Sequence, residues 1–404
     1  MLLKIAWRNI WRNKRRSLIV LSSVVVGVIA AILVDGLSNG MLKQMLFNQI
    51  NSNVSHIQIH KKGFYDNKTV QNYIPDYKKA VQAVKNNPSV KYYSERVITF
   101  GLLSSASNSS GVYINGVNPG QERNVTDISK SIVEGSYLRG EGREIVIGKS
   151  LAEKLGVGIG DKVVAMSNTP DGSVGSDVFR VKGIYETFSS EFDRINIYIP
   201  IKKAQQMLDI GNNVHEIAII TTDYEQAGKV KNEIAAQLNG DYEVLSYTDL
   251  LPMLILQMDF YKETMLIFNL IIGLALIFGI INVMLMSVLE RIREFGVLMS
   301  IGMKNSKLFF MIVTESFIIG LIGTVLGIGL GLLIQMPLSS VGLNLSMFAE
   351  SLKSFGVGAV IYPETTAENL ISLTIMIPLI AVVAAIYPAF KAIKLEPVYA
   401  IRYV

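Results

Sequence analysis

The sequence predicts an integral membrane protein with four transmembrane α-helices, one before and three after a large α+β domain on the outer side of the membrane. Three observations predict this fold class. Hydrophobic residues make up 50% of the 404 residues and charged residues only 18%, whereas soluble proteins carry about 25% charged residues. Four apolar stretches are long enough to cross a bilayer. The segment between the first two alternates short strand and helix patterns.

The four apolar stretches have close to the roughly 20 residues that a helix needs to cross the hydrocarbon core. They are residues 17–34, 264–289, 308–336 and 369–390. The first stretch is short, so we expect its helix to continue to residue 49. We also expect a retained anchor instead of a cleaved signal peptide, because the basic arm before it is long and no clear A-x-A cleavage site follows.

The distribution of positive charge predicts the orientation of the helices. Residues 1–34 hold six Lys and Arg and no acid, whereas the loop 337–368 holds one Lys and three Glu. The arm, the loop after helix 2 and the tail are therefore predicted to be cytoplasmic. The predicted order along the chain is the basic arm (residues 1–16), helix 1 with its outer extension (17–49), the outer domain (50–250), and an outer extension with helix 2 (251–289). The cytoplasmic loop (290–307), helix 3 (308–336), the outer loop (337–368), helix 4 (369–390) and the tail (391–404) follow.

The outer domain is predicted to be α+β, because short strands and helices follow one another in mixed order. Strands are predicted from alternating apolar residues at residues 54–60, 112–117, 144–147, 162–166, 178–185, 194–199, 216–221 and 242–246. Helices are predicted from the 3.6-residue period at residues 77–85, 201–208 and 224–238. Between two strands, Thr169, Pro170, Asp171 and Gly172 predict the tip of a protruding hairpin. The alternative is an ordinary solvent-exposed loop.

Several kinds of chemistry are not indicated by the sequence. With no cysteine, the chain has no disulfide and no thiolate metal site. His56 and His60 lie four residues apart, but on a strand they would share a solvent face with Gln58, so we expect no metal site. Gly148-Lys149-Ser150 lacks the earlier glycine of a phosphate-binding loop. No catalytic constellation is evident, and the basic arm adjoins an apolar run, which argues against nucleic-acid binding.

The cytoplasmic loop after helix 2 predicts a short amphipathic helix. Val288, Ile292, Phe295 and Met299 fall on one helical face, and Gly302 follows the last turn. The helix is either an interfacial helix or a docking helix for a cytoplasmic partner. Glu315 is the ionisable residue inside helix 3. It is either a functional carboxylate or a partner for a polar group near the helix end.

This loop also carries a family resemblance. NVMLMSVLERIREFGVLMSIGM (residues 282–303), followed by TES at residues 314–316, resembles the coupling-helix signature of MacB/LolC/LolE-type ABC transporter permeases. AWRNIWRNKRRS (residues 6–17) and YPAFKAIKLEPVYAIRY (residues 387–403) resemble the ends of such permeases. GREIVIGKSLAEKLGVGIGDKV (residues 142–163) resembles a segment of their periplasmic core domain. The resemblance therefore extends over nearly the whole chain.

The resemblance implies a permease subunit of the bacterial inner membrane that pairs with a second copy or a paralogue and binds two cytoplasmic ABC ATPase subunits. ATP and Mg would be bound by those subunits, with no cofactor and no enzymatic activity in this chain. It also implies a periplasmic domain with a porter-like part and an inserted, mainly β part called Sabre, which we assign to residues 117–190. The resemblance gives the ATPase-coupling role to Glu290, Arg291, Arg293, Glu294, Phe295, Gly296 and Met299.

Among these permeases, the sequence is most similar to those of lipoprotein-releasing systems, through VSHIQIHKKGF (residues 54–64), GVYINGVNP (residues 111–119) and residues 178–208. In such systems a hairpin of one permease recruits a periplasmic lipoprotein chaperone. The predicted hairpin at residues 168–177 lies at a comparable place, although its residues match no hook motif. The alternatives are MacB-like export of peptides, antibiotics or other amphiphiles, and FtsX-like signalling to a periplasmic enzyme.

Extraction of a lipoprotein needs an apolar surface at the depth of the outer leaflet. Exposing each acyl methylene to water costs ~0.8 kcal/mol, so release without ATP is negligible. Methionine adapts to irregular chains. The residues expected to face the substrate are Leu37, Met41, Leu254, Met258 and Met265. The alternative is that they pack against the partner permease.

Overall fold

The computed structural model describes residues 7–9, 11–12, 14–140, 142–238 and 240–396. The beginning of the predicted arm and the end of the predicted tail, including the last part of the C-terminal motif, lie outside the described residues. The chain divides into two compact units. The membrane unit comprises Met1–Leu42, Gln257–Asn344 and Val360–Val404, and the outer unit comprises Lys43–Leu256 and Leu345–Ala359.

Helices and strands are numbered in chain order. They are α1 (Lys14–Gln49) with a π-helical turn (Ile50–Val54), β1 (Ile57–Lys61), α2 (Tyr77–Asn86), β2 (Val90–Ser104), β3 (Ser109–Val117), α3 (Pro119–Glu122), β4 (Ile132–Gly135), β5 (Glu144–Gly148), α4 (Lys149–Leu155), β6 (Lys162–Asn168), β7 (Val174–Tyr185), α5 (Ser190–Ile195), β8 (Asn196–Pro200), α6 (Ile201–Leu208), β9 (Glu216–Thr221), α7 (Ala227–Ala235), β10 (Tyr242–Ser246), α8 (Tyr247–Leu250), α9 (Pro252–Glu290), α10 (Ile292–Ser300), α11 (Asn305–Val341), β11 (Leu343–Asn344), a 3-10 turn (Ser346–Phe348), α12 (Ala349–Ser354), β12 (Val360–Ile361) and α13 (Ala367–Ile393).

The fold class predicted from the sequence is confirmed. Four helices are long and apolar enough to cross a membrane: Ser17–Val54, Pro252–Glu290, Asn305–Val341 and Ala367–Ile393. One precedes and three follow the α+β part of the chain. Proline in a helix interior kinks or breaks the helix, but Pro378 and Pro388 lie inside α13 and neither ends it.

Small residues bring α11 close to α1 within the membrane unit. A Cβ added to Gly323 would lie 2.7 Å from Val24, and one added to Gly327 would lie 2.7 Å from Val28. Gly331 meets Ile32 in the same way, at 2.9 Å. The helix spacing therefore depends on this glycine ladder, because larger residues would force the helices apart.

The outer unit is built on one mixed sheet. The strand order is β10-β1-β9-β2-β3-β8-β5-β7-β4, and β6 pairs with both β2 and β7. β3 pairs with β8 and β5 with β7 in parallel, and the other described pairs of this sheet are antiparallel. Because β5 also pairs with β8, and β6 with β2, the strands between residues 117 and 190 continue the same sheet. The assignment of a Sabre part to those residues stays a prediction.

The strand and helix patterns located most elements of the outer unit, and two strands were missed. Eight predicted strands correspond to β1, β3 and β5 to β10, and three predicted helices to α2, α6 and α7. The missed strands are β2, the longest of the sheet, and the short β4. β2 was missed because the polar residues from Ser94 to Arg96 interrupt the apolar alternation that predicts a strand. Arg96 is nevertheless buried, since it belongs to a charged cluster.

The predicted solvent face of β1 is wrong. Gln58 and His60 are buried, and the half-buried His56 bonds Thr221 through its ring. The reason is that this face of β1 lies against other parts of the domain, where Gln58 Nε2 donates to Asn53 O at 3.5 Å. His60 contacts the carboxylate of Glu216 at 3.0 Å instead of water.

Candidate functional site

Helix α10 follows α9 directly and is the predicted cytoplasmic amphipathic helix. Ile292 and Phe295 are buried in the membrane unit, as is Val288 of the preceding helix. The amide of Gly302 donates to Met299 O at 3.0 Å, and Gly302 has a positive φ of 95° that favours glycine. The predicted apolar face and the predicted end of this helix are therefore confirmed.

Arg291 stands at the start of α10 and fixes it to α11. Its guanidinium donates to Glu315 Oε2 at 3.1 Å, and the side chains of the two residues are only 6% and 4% exposed. The same guanidinium lies 5.0 Å from the ring centroid of Phe295. Of the two interpretations of Glu315, the structure supports a partner for a polar group near the helix end, and that group is Arg291.

Glu294 extends this cluster to the surface. It accepts from Arg291 Nε at 3.1 Å and from the guanidinium of Arg12, which belongs to the basic arm. Burial raises the pKa of Glu294, but the hydrogen bonds from Arg12 and Arg291 outweigh burial and hold it below the usual range. The cluster thus connects the arm, α10 and α11 through charged groups.

The predicted coupling residues divide into two groups. Arg291, Phe295 and Gly296 are buried and hold the helix in place. The second group has exposed or half-buried side chains and consists of Glu290, Arg293, Glu294 and Met299. Their role in ATPase coupling stays a prediction.

Two exposed apolar residues on α10 and just beyond it were not singled out by the sequence reasoning. Val297 is 43% exposed and Ile301 is 80% exposed. Neither residue lies on the helix face that contains Phe295. Apolar residues on the polar face of an amphipathic helix are unusual, and this signal could have identified them from the sequence.

A second charged cluster lies in the outer unit. The guanidinium of Arg96 donates to Glu122 at 2.8 and 3.1 Å and to Glu216 at 2.6 Å, and all three residues are buried. Burial alone would raise the pKa of Glu216, but the charge of Arg96 and the hydrogen bond from His60 bring it below its usual range. A buried carboxylate needs such partners to remain charged.

This cluster also holds the outer end of α1. The last carbonyls of a helix have no partner within the helix. Ile50 O accepts from the amide of Ser55, which directly follows the π-helical turn, at 2.9 Å. Three carbonyls accept from elsewhere in the outer unit: Asn51 O from the Asp127 amide at 2.8 Å, Ser52 O from the Tyr198 hydroxyl at 3.5 Å, and Asn53 O from Arg96 Nη1 at 2.8 Å and Gln58 Nε2 at 3.5 Å. The end of the helix is therefore held by hydrogen bonds from several elements of the outer unit.

The predicted substrate-facing residues are partly brought together. Met258 and Met265 of α9 line one small pocket with Leu42 of α1. Leu37 and Met41 are half-buried on α1. Leu254 belongs to the outer unit. Their contact with a substrate stays a prediction.

The predicted hairpin is formed by β6 and β7, which pair in register up to Asn168 and Val174. The Thr169 amide donates to Ser173 O at 2.9 Å, and Gly172 has a positive φ of 87°. Thr169 is buried, and Gln71 donates to Pro170 O at 3.3 Å. Part of the turn therefore lies against the domain. A hook function stays a prediction.

No group of three or more His, Asp or Glu side chains placed to bind a metal occurs among the described residues. Hydrogen bonds account for the two histidines that the sequence places four residues apart. His56, just before β1, contacts Thr221, and His60 of β1 contacts Glu216.

Two family models match the sequence. The model of the MacB-like periplasmic core domain matches residues 17–237. The model of the FtsX-like permease C-terminal region matches residues 266–397. The first match covers α1 and most of the outer unit, and the second covers α10, α11, α13 and most of α9. Together they include both charged clusters, apart from Arg12.

Two relatives match most of this chain at low sequence identity, and one solved structure is reported beside them. The lipoprotein-releasing system transmembrane protein LolC of Xylella fastidiosa is 25% identical over 339 residues, covering 81% of each chain. The macrolide export ATP-binding/permease protein MacB of Acinetobacter baylyi is 24% identical over 414 residues, covering 96% of this chain and 57% of that protein. The crystal structure of the periplasmic region of MacB from Actinobacillus actinomycetemcomitans has 13% identity and a TM-score of 0.37, and covers 52% of this chain and 96% of that one.

Proposed function

Because this chain belongs to the MacB/LolC-type superfamily of ABC transporter permeases, we propose that α10 receives the movement of a cytoplasmic ABC ATPase and that the periplasmic domain delivers that movement to a substrate. The chain is a multi-pass inner-membrane protein with a periplasmic domain. In this proposal two ATPase subunits bind ATP and Mg, and a second permease copy or paralogue completes the transporter.

The observation that carries this proposal is the division of α10 into a fixed face and an open face. The Arg291–Glu315 ion pair attaches the helix to α11, and Phe295 is buried within the membrane unit. Arg293, Val297 and Ile301 remain exposed. A force that an ATPase applies to the open face of α10 is passed to the helix bundle, because the fixed face of α10 cannot slide along α11.

The substrate that we propose is a lipoprotein anchored in the outer leaflet, passed on to a periplasmic chaperone. Support comes from relatives named as lipoprotein-releasing proteins that match over most of their length. Relatives named for macrolide and pyoverdine export have similar identity, so export of another amphiphile is the second candidate.

A change of charge on the open face tests the coupling. The double variant Val297→Asp/Ile301→Asp places two carboxylates on that face without touching the Arg291–Glu315 pair. We expect at least a tenfold loss of ATPase co-purified with the permease from detergent. Met347→Asp is the matched control, because Met347 is an exposed apolar residue of the outer unit. Full ATPase recovery with the double variant would contradict the proposal.

A second experiment separates the substrate candidates. The purified complex should co-purify with a lipoprotein, and its ATPase rate should respond to that lipoprotein. A complex that carries no lipoprotein and responds to small amphiphiles would favour export. A complex that responds to neither, but alters the activity of a periplasmic enzyme, would favour signalling.

A further inference from the structure

The membrane unit contains a small pocket with a buried carboxylate at its outer end. The pocket has a volume of about 150 Å³ and lies between α1, α9 and the first turns of α13. Asp35 lines it together with Leu42, Met258, Met265 and Asn369. Asp35 follows Ser17 by 18 positions, about 27 Å along a helix. That distance approaches the ~30 Å hydrocarbon thickness, so the pocket lies near the outer boundary of the bilayer.

One oxygen of the Asp35 carboxyl group has no hydrogen-bond partner of normal geometry within the described part of the chain. Asp35 is only 4% exposed, and that oxygen is Oδ2. The side chain of Asn369 and the backbone of Thr366 are close enough to hydrogen-bond to the carboxyl group, and Asn269 Nδ2 donates to Asn369 Oδ1 at 3.1 Å. These neighbours are neutral, so the pocket holds a buried carboxyl group without a counter-charge.

No described cation neutralises Asp35. The described ion pairs do not include it. Lys262 also lines the pocket, but its ammonium is mostly exposed and lies 3.6 Å from Asp259. A buried charge without a partner is unfavourable, and an ionisable residue in a membrane span marks a functional site by default. A cationic ligand would satisfy this carboxylate.

The size and lining of the pocket restrict that ligand. A volume of about 150 Å³ corresponds to roughly five water-sized groups at ~30 Å³ each, enough for a small head group and not for a folded peptide. Leu42, Met258 and Met265 supply apolar walls beside the polar end. An amphiphile with a compact amine head and an alkyl chain has the matching distribution of polar and apolar groups.

We propose that this pocket binds the primary ammonium head of an outer-leaflet amphiphile. Asp35 Oδ2 accepts from the ammonium, while the Asn369 side chain holds the carboxyl group in place. The two methionines and Leu42 contact the first methylenes of the chain. The proposal rests on the proposed transport function for the assumption that the amphiphile is a substrate, and it adds the chemistry of the head group.

The experiment is photolabelling of the full permease–ATPase complex in phosphatidylcholine nanodiscs with a photoreactive dodecylamine, without ATP. Labels should map to α1, α9 and α13. Asp35→Asn keeps an acceptor for its neighbours but removes the charge, so labelling should fall at least tenfold. A photoreactive dodecyl sulfate of the same length should label the parent protein and the Asp35→Asn variant equally.

Two further variants keep the test decisive. Glu263→Gln removes an exposed acid of α9 that does not line the pocket, and it should label like the parent. Met265→Trp fills the pocket without changing charge and should lose labelling as Asp35→Asn does, even if Asp35→Asn itself folds poorly. Parental labelling of both Asp35→Asn and Met265→Trp, or equal loss in Glu263→Gln, would overturn the proposal.

A last arm distinguishes a substrate from a resident lipid. Phosphatidylethanolamine also carries a primary ammonium, but the anionic phosphate beside it would lie next to the Asp35 carboxylate. Replacing phosphatidylcholine by phosphatidylethanolamine should therefore leave most of the dodecylamine labelling. Complete competition would assign the pocket to a resident lipid and overturn the substrate assignment. Since labelling requires no ATP hydrolysis, its failure would leave the docking of the ATPase on α10 unaffected, and a failure of docking would leave labelling unaffected.

Discussion

Two arginines of this protein each join two glutamates, and the surroundings of the two clusters differ. In the outer unit, Arg96 binds Glu122 and Glu216, and the three side chains are at most 4% exposed. In the membrane unit, Arg291 binds Glu315, which is 4% exposed, and Glu294, which is 46% exposed. The first cluster is closed to solvent, and the second opens onto it.

The difference indicates that the two Arg–Glu clusters have different structural roles. The closed cluster also caps α1 through Asn53 O, so its geometry fixes the end of a transmembrane helix in the domain. Glu294 of the open cluster is shared with Arg12, so that side of the cluster can exchange partners at low cost, as exposed ion pairs generally can. The exchange concerns only Glu294 and Arg12, whereas the buried Arg291–Glu315 pair holds the start of α10 to α11.

The largest expected effect comes from breaking the closed cluster. Arg96→Met leaves two buried carboxylates without their cation and Asn53 O with only the long hydrogen bond from Gln58 Nε2 at 3.5 Å. We expect a loss of about 3–5 kcal/mol in the free energy of unfolding, measured by denaturant unfolding of the full chain in detergent. The matched control is Arg143→Met, because Arg143 is 63% exposed and pairs with Asp177 at 2.9 Å. The control should change stability by less than about 1 kcal/mol, and equal losses would show that the Arg96 cluster contributes nothing special.

A smaller effect is expected at the open cluster. Glu315→Leu removes the buried partner of Arg291, but Arg291 keeps Glu294 and a route to solvent. We expect a loss of about 1–3 kcal/mol, typical of a hydrogen bond to a charged group. The measurement is thermal unfolding of the full chain, with Glu294→Gln as the exposed control. If Glu315→Leu costs as much as Arg96→Met, the distinction between closed and open clusters is wrong.

The sequence predicted the two clusters unequally. The pattern of α10 located Arg291 and Glu294, and Glu315 stood out as an acid within an apolar run. Their pairing was not predicted, because 24 positions separate Arg291 from Glu315 and only tertiary packing brings them together. Arg96 was missed altogether, since a charged residue in a strand pattern indicates a solvent face unless its partners are known. Those partners come from α3 and β9, far away in the chain.

The outer end of helix 1 shows the same limit. Residues 17–49 were predicted as one continuous helix with Asp35 inside it, but the sequence does not show that this carboxylate faces a pocket. The other residues that line this pocket include residues of α9 and α13. Local periodicity therefore predicted the elements and their apolar faces, whereas the pairing of buried charges depends on contacts between distant segments.

The smallest expected effect concerns pH and the neighbours of the closed cluster. Burial lowers the pKa of His215 to about 4, although its hydrogen bond to Val70 O partly offsets this effect. The unfolded chain, with an ordinary pKa of 6.5, then binds more protons than the folded chain between pH 4 and 6.5. His215 therefore destabilises the fold as pH falls, by about 1–2 kcal/mol between pH 6.5 and 5.

Asp193 has the opposite influence, which provides an internal control. Burial raises its pKa to about 6 from 3.8, so its contribution to stability is present at low pH and is lost as pH rises through 6. His215→Gln should reduce the rise of stability with pH in the full chain, and Asp193→Asn should increase it. The measurement is the midpoint of thermal unfolding from pH 4.5 to 7. If both substitutions shift that slope in the same direction, the protonation of these buried groups does not control it.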